Sequence, residues 1–208
     1  RYLLEYFAKK GWWGFFPRYR GTWESDGDFL AKSPEQDVID VIDALPKGFK
    51  DHWKHETYKV DPKRIVLIGG SFGGPAAILA SRDERVNKAL IISGVVDWTK
   101  LGPRETFDVY REMTRETFEN VYRGKAADWR KLKEGRINNP VNHIKEIDGS
   151  KLLFIHTKDD DSVPYRTVES FAKKTDAKLK SYKRGGHLGL SYILKPSILK
   201  QVEKFLKK

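Results

Sequence analysis

A chain of 208 residues with 39% apolar and 12% aromatic side chains can pack one domain with a sizeable core, which argues against both a disordered segment and a multidomain array. No apolar run reaches membrane-spanning length, residues 1–17 are too aromatic and charged for a signal peptide, and the lack of cysteine excludes disulfides and thiolate chemistry, so a cytoplasmic setting is expected. The formal net charge of +11 comes from Lys and Arg interleaved with Asp and Glu, as in "RETFDVYREMTRETFEN", rather than gathered into one stripe, so no nucleic-acid partner is expected.

In chain order, "YLLEYFAKKG" has apolar residues at helical spacing and closes on Gly11, predicting a helix. "WWGFFPRYR" reads as an aromatic strand leading into the loop "GTWESDGDFLAK". Ser33-Pro34-Glu35-Gln36 has the form of a helix start, with a serine N-cap, proline at the first helical position and a glutamine placed for a capping box. That helix runs on through Val38, Ile39, Val41, Ile42 and Leu45. After a charged, aromatic stretch, "DPKR" turns into a strand over Ile65–Ile68, and a short helix follows the next glycines.

"KALIISG" is a second buried strand. Residues 97–140 break the rhythm: charged, aromatic and helical in pattern, they read as a cap inserted over the core of a single domain spanning 1–208. "KLLFIH" and "KLKSYK" are further strands, with helices at "YRTVESFAKK" and "KPSILKQVEKFLKK". Strands alternating with helices, several of them solidly apolar, predict an α/β fold: a mostly parallel sheet with helices on both faces.

Gly69-Gly70-Ser71-Phe72-Gly73 satisfies G-x-S-x-G at the exit of a predicted strand. A chain that leaves a strand and enters a helix within about one residue must strain the serine backbone and needs glycines where the two elements crowd. The turn lifts the Ser71 hydroxyl clear of the sheet and aims the Phe72 amide at a developing oxyanion. The competing reading, a turn cradling a phosphate, lacks the G-K-[ST] that would support it.

A nucleophilic serine needs a base and the base an orienting acid. His52 and His55 precede the elbow, His143 belongs to a turn, and His156 ends a strand, where a structural role is expected. His187, in "YKRGGHLGLSY", lies in a glycine-rich loop between the last strand and the last helix. The acid is sought in "TKDDDSVP", where residue type alone leaves Asp159, Asp160 and Asp161 open. The order Ser, Asp, His is that of an α/β-hydrolase.

"GGSFGG", "HTKDDDSVP" and "GGHLG" resemble the nucleophile elbow, acid loop and histidine loop of the α/β-hydrolase superfamily, and most closely the catalytic domain of the prolyl oligopeptidase family. "FFPRYRGTWESDGDF" and "NPVNHIKEI" extend the resemblance over nearly the whole chain outside the insertion. The family's acid loop, roughly H-G-x-x-D-x-x-V-P, laid on His156 to Pro164 implies Asp160 as the acid; Thr157 stands where the family has glycine.

In this superfamily a strand with a His-Gly loop precedes the first helix seen here and supplies a second oxyanion donor. The resemblance implies that strand between "WWGFFPRYR" and "RIVLIGG". With strands about 4.8 Å apart its absence leaves a slot of roughly 9.6 Å. The native polypeptide is therefore expected to extend upstream of Arg1, and the second donor to lie there.

The reading is a serine hydrolase that cleaves an ester or a short peptide or acyl-peptide bond through Ser71, Asp160 and His187, with the Phe72 amide as oxyanion donor and no metal or organic cofactor. Trp98, Phe107 and Tyr110 of the insertion are expected to roof the pocket. Two alternatives stand beside it: a carboxylesterase of small acyl esters, and a non-catalytic binding protein that keeps the fold.

Overall fold

The computed structural model describes residues 2–207. In chain order the elements are α1 (Tyr2–Ala8), α2 (Pro34–Ala44), β1 (Phe49–Lys50), β2 (Thr57–Tyr58), β3 (Ile65–Gly70), α3 (Gly73–Ala80), β4 (Val86–Ile92), α4 (Phe107–Phe118), α5 (Ala126–Lys133), β5 (Leu152–Thr157), α6 (Tyr165–Thr175), β6 (Lys178–Tyr182) and α7 (Pro196–Leu206). Short 3-10 turns at Glu119–Val121, Pro140–Glu146, Gly149–Lys151 and Leu190–Leu194 fill the connections. Among the described residues no helix is long and apolar enough to cross a membrane.

β3, β4, β5 and β6 form one parallel sheet in that order. β4 and β5 are apolar on both faces because both faces are covered, the condition under which a strand reads as a continuous hydrophobic run. Ala89, Ile91, Leu152 and Phe154 point into one core with Ala77 and Ile78 of α3 and Val168 and Phe171 of α6. Leu90, Ile92, Leu153 and Ile155 point into the other, against Ile198, Val202 and Phe205 of α7. The two-residue side-chain period of a strand thus divides alternate residues between two helical layers.

Four sequence expectations change. The stretch "WWGFFPRYR" forms no strand: residues 12–19 carry no ladder, because a strand exists only where a neighbour completes its hydrogen bonds, and β3, the nearest sheet edge, has no outer partner among the described residues. Between this stretch and β3 lies an apolar cavity of about 370 Å³, lined among others by Phe7, Trp12, Phe15, Val66, Ile68 and Leu190. Its aromatic rings pack instead against an unforeseen hairpin, with Trp13 at 5.9 Å from Tyr58 and Phe15 at 5.5 Å from Phe49.

The helix start at Ser33 also differs. Pro34 opens α2 as expected, but the Ser33 hydroxyl donates to the Glu35 carboxylate and accepts from the Asn138 N–H at 2.9 Å, while the Gln36 amide reaches Asp40 at 3.1 Å. The hydroxyl ties the helix to the insertion rather than capping it.

The stretch 97–140 is not simply laid over the core. Trp98, Phe107, Trp129 and Leu132 are buried members of the α3-side core, because apolar rings at helical spacing bury where a wall is available. The expected pocket residues change with it: Trp98 and Phe107 are 3% and 7% exposed, packed as core rather than lining an open cleft. Tyr110 is half-buried, its ring stacked at 6.3 Å from Phe72.

Candidate active site

The site gathers at the C-terminal ends of β3, β4 and β5. β3 delivers Ser71, and α3 begins two residues later. Ser71 has φ +46, in the left-handed region that non-glycine residues avoid. Its N–H donates to Ile92 O at 3.0 Å, and its carbonyl accepts from Gly74 N at 3.0 Å and Val95 N at 3.3 Å. These bonds hold a conformation whose cost is about 1–3 kcal/mol.

Backbone crowds two glycines of the turn too closely for a side chain. A Cβ on Gly69 would stand 2.3 Å from Gly73 O and 2.9 Å from the Ala77 Cβ, and one on Gly74 would stand 2.5 Å from the Gly94 Cα. A Cβ on Gly73 would meet only the Tyr19 hydroxyl, at 3.6 Å. The second glycine of the motif therefore serves through its backbone, which occupies the space a side chain at 69 would need. The Phe72 ring seals the elbow from one side, 5.5 Å from Tyr19 and 5.6 Å from Trp98.

The three adjacent aspartates have three different surroundings. Asp160 is buried: its Oδ2 accepts from His187 Nδ1 at 3.0 Å, and its Oδ1 accepts from Ser162 N at 3.1 Å and Val163 N at 2.9 Å. Asp159 is exposed and accepts from the successive amides of Gly185 and Gly186, at 3.2 and 3.0 Å. Asp161 faces solvent opposite Arg104 at 3.4 Å. Only Asp160 meets the histidine.

The electrostatics follow from this pairing. Burial alone would lower the His187 pKa, but the hydrogen bond and charge of Asp160 outweigh it, and the imidazole is held above its ordinary value. Burial likewise works to raise Asp160, and His187 together with the Val163 N–H holds the carboxyl below the usual range. His156, 1% exposed, is pushed down by burial; its Nε2 lies 2.8 Å from Val163 O and 3.3 Å from Asp160 Oδ2, so the neutral ring donates from Nε2 and backs the carboxylate. With Nδ1 of His187 donating to Asp160, its Nε2 is left as an acceptor.

Asp160 and His187 are thus brought together. Among the described residues the Ser71 hydroxyl makes no hydrogen bond; the serine turn is joined to the histidine loop through the end of β4, where Ile92 O accepts from Ser71 N–H and the hydroxyl of the next residue, Ser93, accepts from Leu188 N at 3.0 Å. In free hydrolytic sites such bonds are often long and tighten only with substrate in place. Ser93 and Thr157 are both fully buried around His187; the sequence marks Thr157 only as a departure from the glycine of the resembled acid loop, and Ser93 only as part of the small Ser-Gly pair closing a buried strand.

A model of the prolyl oligopeptidase family matches residues 2–208. No curated protein matches the chain. Among solved structures it is similar to an esterase of Pyrococcus furiosus at 19% identity and TM-score 0.61, covering 91% of this chain and 67% of that one. It is also similar to the Pyrococcus horikoshii acylaminoacyl peptidase, at 17% identity and TM-score 0.55 over 84% of this chain and 27% of that one. A puromycin-hydrolyzing peptidase of Mycobacterium tuberculosis gives 18% identity and TM-score 0.57 over 84% and 25%. At these identities the likeness is one of fold, the α/β-hydrolase fold, and the chain spans about a quarter of each peptidase.

Proposed function

The chain belongs to the prolyl oligopeptidase family, a family of serine hydrolases, and on that premise we propose that Ser71, Asp160 and His187 cleave an ester or a short peptide or acyl-peptide through an acyl-enzyme. The observation that carries this reading is the buried Asp160 carboxylate on His187 Nδ1, 3.0 Å away, beside a serine held at positive φ at the end of β3. His187 Nε2 takes the Ser71 proton as Oγ bonds to the acyl carbon, then returns it to the leaving alcohol or amine as the acyl–leaving-group bond breaks. Water, activated by the same nitrogen, splits the acyl-serine and restores the hydroxyl. The Phe72 amide, at the head of α3, donates to the oxyanion. The substrate is a small ester or short peptide, and the place of action is the cytoplasm, a setting that the absence of cysteine favours.

The test is labelling by a fluorophosphonate, read by mass spectrometry on the peptide containing residue 71, with the labelling rate followed against pH. Stoichiometric label on Ser71 is the expected result; a folded, unlabelled protein would leave only the binding-protein reading. The pH dependence has a definite sign. Protonated His187 cannot accept the serine proton, so labelling is slow in acid, rises about tenfold per pH unit, and levels off above the His187 pKa. Because Asp160 raises that pKa, the midpoint is expected above the ordinary imidazole value of about 6.5. A midpoint below it would contradict the pairing.

A further inference from the structure

The two peptide units that flank the His187 Cα are each held by a buried hydroxyl. The carbonyl of Gly186, on the N-terminal side, accepts from Thr157 Oγ1 at 2.6 Å. The N–H of Leu188, on the C-terminal side, donates to Ser93 Oγ at 3.0 Å. Both hydroxyl-bearing residues are 0% exposed, and they stand at the ends of neighbouring strands: Thr157 is the last residue of β5, and Ser93 follows the last residue of β4. Peptide units are rigid planes, so fixing the plane on each side of a Cα fixes φ and ψ there and with them the direction of its Cβ. We propose that Ser93 and Thr157 are positioning residues that bracket His187 and set the reach of its imidazole toward Ser71.

Three observations support a dedicated bracket over incidental packing. The histidine loop has little rigidity of its own, since it enters through Gly185 at φ +150 and Gly186 at φ +60, backbone conformations that glycine adopts at low cost. Ser93 is held at φ +45, an unfavourable conformation for serine that persists where its surroundings fix it, and its N–H is tied to Ile155 O at 3.1 Å. Thr157 occupies a position where the resemblance leads to glycine, and glycine has no hydroxyl to offer Gly186. Asp159 adds an outer tether through the Gly185 and Gly186 amides, but from the exposed side, where water competes for the same donors.

The inference rests on the hydrolase reading for its effect on rate, but the bracket itself has a separate readout. Thr157→Val keeps the shape and removes the donor; Thr157→Ser keeps the donor and removes a methyl group. On p-nitrophenyl butyrate, Thr157→Val is expected to lower kcat by about 10- to 100-fold with KM nearly unchanged, and Thr157→Ser to recover most of the loss. The downfield proton of His187 Nδ1, assigned by its disappearance in His187→Gln, should be sharp in the wild type and in Thr157→Ser and broadened or lost in Thr157→Val. Ser93→Ala repeats the test from the other side, and carries it alone if Thr157→Val does not fold.

Wild-type kcat together with an unchanged downfield proton in folded Thr157→Val would overturn the bracket. So would equal impairment of the valine and serine variants, since that would assign the effect to packing. If the wild type takes no fluorophosphonate, the hydrolase reading fails, and the Nδ1 proton then decides the bracket by itself. The groups facing this imidazole are Asp160, His156 behind it, Glu105 and Asp161, so the same proton should be followed across pH in each variant.

Discussion

Alanine at position 71 is expected to lower kcat on p-nitrophenyl butyrate by about 10⁶-fold, leaving the residual activity that binding and the oxyanion donor supply over water. The magnitude follows from the division of labour at the elbow. Without Oγ there is no acyl-enzyme, and His187 can only assist a direct attack by water from a site shaped for a bound nucleophile. Circular dichroism and the thermal midpoint should stay close to wild type, since alanine at φ +46 is strained much as serine is and the backbone bonds to Ile92, Gly74 and Val95 remain. Ser71→Gly should be just as inactive yet more stable by about 1 kcal/mol, because glycine adopts that φ without a steric penalty. Retention of more than about one per cent of activity in either variant would remove Ser71 from the chemistry.

The second large effect concerns the acid. Asp160→Asn is expected to lower kcat by about 10⁴-fold. An asparagine there presents one oxygen and one NH₂ where the carboxylate met donors on both sides: His187 Nδ1 on Oδ2, and the Ser162 and Val163 amides on Oδ1. If the amide oxygen stays with the backbone donors, the NH₂ faces His187 and enforces the tautomer with Nδ1 bare and Nε2 protonated, which cannot take the serine proton. The neighbours serve as internal controls. Asp161→Asn loses an exposed pair with Arg104 of the kind worth about 0–1 kcal/mol, and its activity should stay within about twofold of wild type. If Asp159→Asn or Asp161→Asn proved the most damaging of the three, the assignment of the acid would be wrong.

The sheet was legible in the sequence for a physical reason. Strands β4 and β5 are covered on both faces, so their apolar runs are unbroken and admit little else in a chain this size. The elbow was legible because close approach at Gly69 admits only hydrogen, which leaves a mark in residue type. Where the deciding partner is remote, the sequence was mute. "WWGFFPRYR" has the side chains of a strand, but strand formation also requires an outside ladder, and side-chain preference says nothing about that. The hairpin at Phe49–Lys50 and Thr57–Tyr58 is too short for any periodicity to show. The choice among three aspartates needed a register borrowed from a resemblance, since all carry the same carboxylate. Ser93 and Thr157 lie 95 and 29 residues from the atoms they hold, and the local residue types that set them apart say nothing about those partners.

The parallel order of the sheet has a consequence for how the protein reaches its active form. No rung of it is local: Ile65 pairs with Val86, Ala89 with Leu152, and Leu153 with Lys178, each across a crossover. Chain entropy must be spent on closing those loops before any strand pair gains from it, which places such topologies among the slower folders. The serine turn depends on β3 meeting β4, whereas the acid and histidine loops become fixed only once β5 and β6 have docked beside them. During refolding, helical circular dichroism should therefore recover before any capacity to react with a phosphonate does. Competence for chemistry is the last property the polypeptide acquires and, by the same route in reverse, the first it loses when the sheet loosens at β5.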